Sequence, residues 1–430
     1  MSIIKTSKGF IQGIVKDNHI IYKGIPYAKP PVGDLRFSPP VENEVWEGTY
    51  LAYEFGSKPM QSEHGDEFYD KEFYDDNSFK TKVSEDCLYL NIWTPKNFEG
   101  GKLPVAIWIH GGAFLGGCGN EKEFDGEEYC KRDVILVTIN YRLGPFGFLV
   151  HPWLMEESSD GVAGNYGILD QIQALKWVYE NISAFGGNPE NITVFGQSAG
   201  SMSVQVLVSS ELTKDMISKA IFQSAGGYKS PFNRDLKMED AIISGKEVVK
   251  NAGVKSLEEL RSLSAEDIMV ASEPTIIKGF MEGMKLPFIP VIDGKVLKDT
   301  YENLVDRGEV KKIPYIVGSN RDDLFVQVVE DEQDVVYQAC VNWCKKTSKD
   351  NNESSYAYYF KRELPGDDAG AFHSAELWYM FGTLNRAWRP WEKIDFELSN
   401  QMLDLWTEFM KKGTCWSPCT DNDPYVNIFG

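Results

Sequence analysis

A short run of strand formers that breaks on a serine held between two glycines constrains this chain more than any other feature. In "NITVFGQSAG" (191–200) the β-branched and apolar residues suit a buried strand, and "SAGSMSVQVLV" continues as small residues able to open a packed helix. Ser198 therefore falls on a strand-to-helix turn, and Gly196 and Gly200 relieve side-chain crowding on both flanks. A turn of this kind pushes a hydroxyl out over the end of a sheet, as a nucleophile requires. The pentapeptide alone equally fits a tight strand–helix packing turn, so the rest of the chain decides.

The surrounding pattern supplies the sheet. "LYLNIWTP" (88–95), "LPVAIWIHGG" (103–112), "DVILVTINYR" (133–142), "KAIFQSAG" (219–226) and "PYIVGSN" (314–320) read as core strands ending in turns. Helical spacing, as in "NYGILDQIQALKWVYENISAFGG", fills the intervals up to a Gly-Gly stop. Strands alternating with helices predict an α/β fold, a mostly parallel sheet with helices on both faces. Residues 3–27 read as a hairpin-rich N-terminal edge. The polar, helical stretch from about 230 to 310 and the stretch 324–355 are expected as cap or insertion segments within one domain, 1–430.

A serine nucleophile needs a base and a group that orients the base. Where the order along the chain is serine, acid, histidine, only His373 of the five histidines follows Ser198, so the base is found by elimination. The acid must sit on a loop after a core strand, and "PYIVGSNRDD" offers Asp322 and Asp323. The Gly-rich "HGGAFLGG" after the strand "LPVAI" lets backbone N–H groups approach a ligand. Gly111 and Gly112 are the expected oxyanion donors, joined by Ala199. His110 precedes the serine and is expected to shape that loop.

Charge and cysteine content exclude other classes. A net charge of -20 disfavours nucleic acid and anionic membrane surfaces as partners. No apolar run reaches the roughly 18 residues of a membrane span, and "MSIIKTSKGFIQG" is not an export leader, so a cytoplasmic protein is expected. The seven cysteines then read as free thiols, and the sequons at Asn181, Asn191 and Asn352 carry no meaning. "CVNWC" and "CWSPC" are set in aromatic sequence and read as buried inert thiols rather than a metal site. The acidic stretch 61–86, interleaved with Phe68, Tyr69, Phe73, Tyr74 and Phe79, reads either as a solvated loop or as an aromatic, acidic rim over a pocket.

The motifs in order, "YKGIPYAKPPVGDLRFSPP" (22–40), "EDCLYLNIWTP" (85–95), "NYRLGPFGFL" (140–149), "FGGNPENITVFGQSAG" (185–200), "HSAELWYMF" (373–381) and "LWTEFMKKG" (405–413), resemble the type B carboxylesterases. These are cholinesterase-like α/β-hydrolases, and the chain is closest in character to their bacterial cytoplasmic members. The likeness spans nearly the whole chain. It implies an α/β-hydrolase fold with Ser198 as nucleophile, His373 as base, Asp323 as acid, and Gly111, Gly112 and Ala199 as oxyanion donors. It further implies that Arg36 pairs with Glu85, that Ser224 supports the site by hydrogen bonding, and that a small-molecule ester is hydrolysed without a cofactor.

The departures are specific. Aspartate replaces the family's usual glutamate at 323, and Gln197 replaces the glutamate before the nucleophile. Cys87 lacks its disulfide partner, since the matching region reads "KPMQ". Only 50 positions separate Asp323 from His373, so the helical cap is reduced. Amide or carbamate hydrolysis would use the same residues; a non-catalytic scaffold would be expected to lose Ser198 or His373, and this chain keeps both.

Overall fold

In "LPVAIWI" every residue after the first two is apolar, so a strand there must be covered on both faces. The computed structural model describes residues 3–62, 67–97, 102–230, 235–283, 285–324, 335–350 and 354–430. Within it Val105, Ile107 and Ile109 enter one core cluster while Ala106 and Trp108 enter another, the period-two alternation of a strand. This central strand divides the molecule into two cores.

Among the described residues the main sheet has ten strands: β1 (Ile14–Val15), β2 (His19–Pro26), β3 (Tyr89–Pro95), β4 (Leu103–Ile109), β5 (Ile135–Ile139), β6 (Gly187–Gln197), β7 (Lys219–Gln223), β8 (Tyr315–Asn320), β9 (Ser355–Phe360) and β10 (Val426–Phe429). Their spatial order is β10-β9-β8-β7-β6-β4-β5-β3-β2-β1. Pairing is parallel from β10 through β5 and antiparallel among β5, β3, β2 and β1. The sheet is thus the mostly parallel α/β sheet expected, with a hairpin edge at its N-terminal side. Helices α1 (Tyr166–Asn181) and α2 (Ala199–Ser209) pack into one core, and α6 (Lys393–Lys412) packs Met402, Trp406 and Phe409 into the other.

Two stretches differ from the sequence reading. Strand β6 begins at Gly187, earlier than "ITVFG", because Gly187 pairs with Leu103 across an irregularity in the register. The stretch 324–355, expected as an insertion, holds α5 (Val335–Asp350), which packs against β8 and β9. It is the crossover a parallel strand pair requires; residues 325–334 and 351–353 lie outside the described residues. Between Ser230 and α5, α3 (Met238–Ala252) and α4 (Ala265–Met281) pack on each other.

Buried ion pairs fasten these layers. Arg142 meets Asp170 through Nε at 2.8 Å and Nη2 at 2.7 Å, and both side chains are buried. Arg36 grips Glu85 with two hydrogen bonds of 2.6 and 2.5 Å, as the resemblance implies. Its Nη1 also donates to the carbonyls of Arg261 and Leu263, which ties the residues ahead of α4 to the N-terminal segment.

Candidate active site

A nucleophile must be held in a conformation that side chains normally avoid, and this turn does so. Ser198 sits at φ 55° and ψ -126°, where a non-glycine residue costs about 1–3 kcal/mol. Its N–H donates to the Gln223 carbonyl at 2.9 Å, and its own carbonyl accepts from Met202 N–H at 3.0 Å, which opens α2. The flanking glycines are steric necessities. A Cβ at Gly200 would lie 2.0 Å from the Ile109 carbonyl, and one at Gly196 would lie 2.6 Å from the backbone of Gly200.

Alanine at position 200 would gain about 1 kcal/mol of helix propensity. The clash with rigid backbone outweighs that gain, so Gly200→Ala is expected to cost about 3 kcal/mol or more. Thermal unfolding measures it, and an unchanged melting temperature would refute the packing argument.

Parallel strands bring their carboxyl ends to one edge, where open α/β sheets bind ligands. Ser198 follows β6, Gly111 and Gly112 follow β4, Asp323 follows β8, and His373 lies in the loop after β9. An isolated parallel bridge joins Asp322 to Phe372 in that loop. It brings the next residue of each chain, Asp323 and His373, side by side. Asp323 Oδ1 meets His373 Nδ1 in a short contact, with the aspartate side chain wholly buried. The carboxylate also accepts from the N–H groups of Asn320 at 3.1 Å and Leu324 at 3.2 Å. With Nδ1–H committed to the carboxylate, Nε2 carries the lone pair of the imidazole, and the Gln197 amide nitrogen lies 3.1 Å from it.

Ser198, His373, Gly111 and Gly112 line one cavity of about 730 Å³. Gly111 approaches within 3.1 Å of the Ser198 Cβ, measured from the position its own Cβ would take. Gly112 is at φ 99°, and Ala199 is the first residue of α2. Among the described residues no protein carbonyl accepts from the N–H of Gly111, Gly112 or Ala199. These three N–H groups are therefore uncommitted to other carbonyls.

His110 behaves as loop structure. It is buried, its Nδ1 is 2.9 Å from the Gly111 carbonyl, it stacks on Tyr141, and burial pushes its pKa down to about 4. Ser224 departs from expectation. It is buried at φ 50° next to the site and its N–H donates to Gly318, but its hydroxyl has no hydrogen-bond partner among the described residues. The turn uses its backbone, and the expected side-chain hydrogen bond is not formed.

The acidic stretch forms a rim: Tyr69, Phe73 and Tyr74 line the cavity, and Phe68 meets Phe372 edge-on at 4.9 Å. Buried Glu72 anchors this rim by accepting from Trp378 and Arg389. Within this stretch residues 63–66, His64 among them, lie outside the described residues. Met269, Ile276 and Phe280 of α4 also line the cavity.

Sequence reasoning missed Glu376, which accepts from Asn320 at 2.6 Å and whose pKa burial raises to about 7. Its signal was the spacing in "HSAE". Among the described residues none of the seven cysteines is joined in a disulfide. Among the described residues no cluster is placed to hold a metal, and no helix is long and apolar enough to cross a membrane.

Residues 1–338 match the model of the carboxylesterase family, a stretch that includes Ser198 and Asp323 and ends before His373. The para-nitrobenzyl esterase of Bacillus subtilis (strain 168) is 39% identical over 325 residues, 75% of this chain and 63% of that protein. The fumonisin B1 esterase of Sphingopyxis macrogoltabida is 38% identical over 74% of this chain and 55% of its own length. These matches thus span little more than half of each relative. A solved thermophilic PNB esterase superposes with a TM-score of 0.87 at 31% identity, over 100% of this chain and 96% of its own.

Proposed function

The chain belongs to the carboxylesterase family, and on that premise we propose that it hydrolyses small carboxylic esters through an acyl-enzyme on Ser198. His373 Nε2 takes the serine proton as Oγ attacks the ester carbonyl, and then delivers that proton to the departing alcohol. Water repeats the attack on the acyl-enzyme and returns free acid. Asp323 keeps the imidazole in the tautomer whose lone pair is on Nε2 and stabilises the imidazolium that forms. The N–H groups of Gly111, Gly112 and Ala199 stabilise the oxyanion as it develops; losing one such donor typically costs about 10²–10³ in rate.

One observation carries this reading: a wholly buried aspartate binds the only histidine, among the described residues, lining a cavity that also holds a serine at a strained elbow. A series of p-nitrophenyl esters of graded acyl length tests it. Hydrolysis with a burst of p-nitrophenol equal to the enzyme concentration is expected for at least part of the series. No turnover of any member would overturn the proposal.

A further inference from the structure

The acidic stretch that forms the rim distributes its carboxylates unevenly. Glu67, Asp75 and Asp76 are exposed, whereas Glu72, on the short helix Glu67–Phe73, is wholly buried. A buried carboxylate is costly unless donors and a positive charge meet it, and Glu72 has both. Its Oε1 accepts from the Trp378 indole at 2.8 Å and from Arg389 Nε at 2.9 Å, and its Oε2 accepts from the Trp388 indole at 2.8 Å. Arg389 turns its other edge to Asp367, with Nη1 at 2.8 Å and Nη2 at 3.1 Å.

These partners bracket the base. Asp367 lies six residues before His373, and Trp378 lies five residues after it. The Arg389 guanidinium stands over the ring of Phe372, the residue just before His373, at 5.3 Å from the ring centroid. The rim helix leans on the same segment. Phe73 stacks on Trp378 at 5.3 Å, and the Tyr69 hydroxyl donates to the His373 carbonyl at 3.2 Å. An ion chain from Glu72 through Arg389 to Asp367 thus closes around the loop that carries the base.

We propose that Glu72 and Arg389 are positioning residues for the reaction, a buried clamp that holds His373 in register with Asp323 through the loop 367–378. This rests on the esterase reading above. Neither residue is among the described residues that line the cavity, so the clamp acts through the base. A displacement of about 1 Å in such a group can cost about 10²-fold in rate. Glutamine at position 72 has the same shape but a single acceptor oxygen, and its NH₂ group would face an indole N–H or the guanidinium. The segment must then shift to part the facing donors, and the base moves with it.

Glu72→Gln tests this on p-nitrophenyl butanoate, whose acylation and deacylation both need the base. A folded variant is expected to lose at least about tenfold in kcat. The inhibition constant of 1-(4-nitrophenyl)pentan-2-one, the ketone isostere that fills the cavity without turnover, should stay within about threefold of the parent's. A smaller fall in kcat, or ketone binding weakened beyond that, would overturn the proposal. In the Asp323→Asn background the base has already lost its acid, so adding Glu72→Gln should cost less than about threefold more. Losses that multiply would place the effect of Glu72 elsewhere and overturn the clamp.

Should Glu72→Gln lack a cooperative melt, Asp367→Asn loosens the same guanidinium from its partly exposed arm. That variant is expected to lose at least about threefold in kcat with ketone binding held, and a smaller loss refutes the clamp. Should no ester be hydrolysed, the esterase reading falls, and crystal structures of the parent and Glu72→Gln judge the clamp alone. An Asp323–His373 contact opened in the variant supports it, and an unchanged contact refutes it.

Discussion

Ser198→Ala is expected to leave a folded protein whose esterase turnover has dropped by on the order of 10⁶, the scale for losing a nucleophile that acts with its base as a unit. The substitution removes one oxygen and no backbone contact. The hydrogen bonds that shape the elbow, from Ser198 N–H to Gln223 and from Met202 N–H to Ser198, belong to the main chain and persist. Alanine keeps the same Cβ at φ 55°, so the strain is unchanged and stability should be too. The oxyanion donors remain, and a residual acceleration of about 10³–10⁴ over water is expected from them and from binding. An organophosphate should label one serine in the parent protein and none in the variant. A label elsewhere, or retained turnover, would remove Ser198 from the mechanism.

What the sequence displayed, it displayed through local chemistry. The elbow was legible because strand formers, two glycines and small helix starters lie within a dozen residues. His373 was singled out because so few histidines exist that chain order alone selected it, and the fold sets it against Asp323. The features that stayed hidden depend on tertiary placement. Strand β9, "SYAYYF", is mostly aromatic and has no polar–apolar alternation; both its faces are largely buried, and periodicity does not distinguish such a run from a helix segment. Crossover α5 looked like an insertion because its purpose is visible only once β8 and β9 pair. The spacing in "HSAE" sets Glu376 near His373, but its burial and its hydrogen bond with Asn320 follow from the fold. Gln197 was noticed as a missing charge, whereas its amide contact with His373 follows from the fold.

The choice between the two adjacent aspartates turns on the same kind of placement, and it yields a second large effect. Asp323→Asn is expected to lower kcat by at least about 10³. An amide at this position removes the charge that stabilises the imidazolium, and its NH₂ group invites the wrong tautomer, a change that costs about 10⁴ in a serine protease. The aspartate side chain is wholly buried, so no solvent ion can replace it.

Asp322 is differently employed. It is exposed, pairs with Arg321, and accepts the Ala371 N–H at 2.7 Å, an acceptor role that an asparagine oxygen can still fill. Asp322→Asn should therefore stay within about tenfold of the parent, as expected for a largely exposed pair. Asp323→Glu keeps the charge but adds a methylene to a wholly buried side chain, at a cost of about 1–3 kcal/mol. It should fold and lose an intermediate amount of activity because the carboxylate no longer meets Nδ1 squarely. Steady-state kinetics on the three variants decides the assignment. If Asp322→Asn proves the most damaging, the bridge between Asp322 and Phe372, rather than the carboxylate beside it, is what the base depends on.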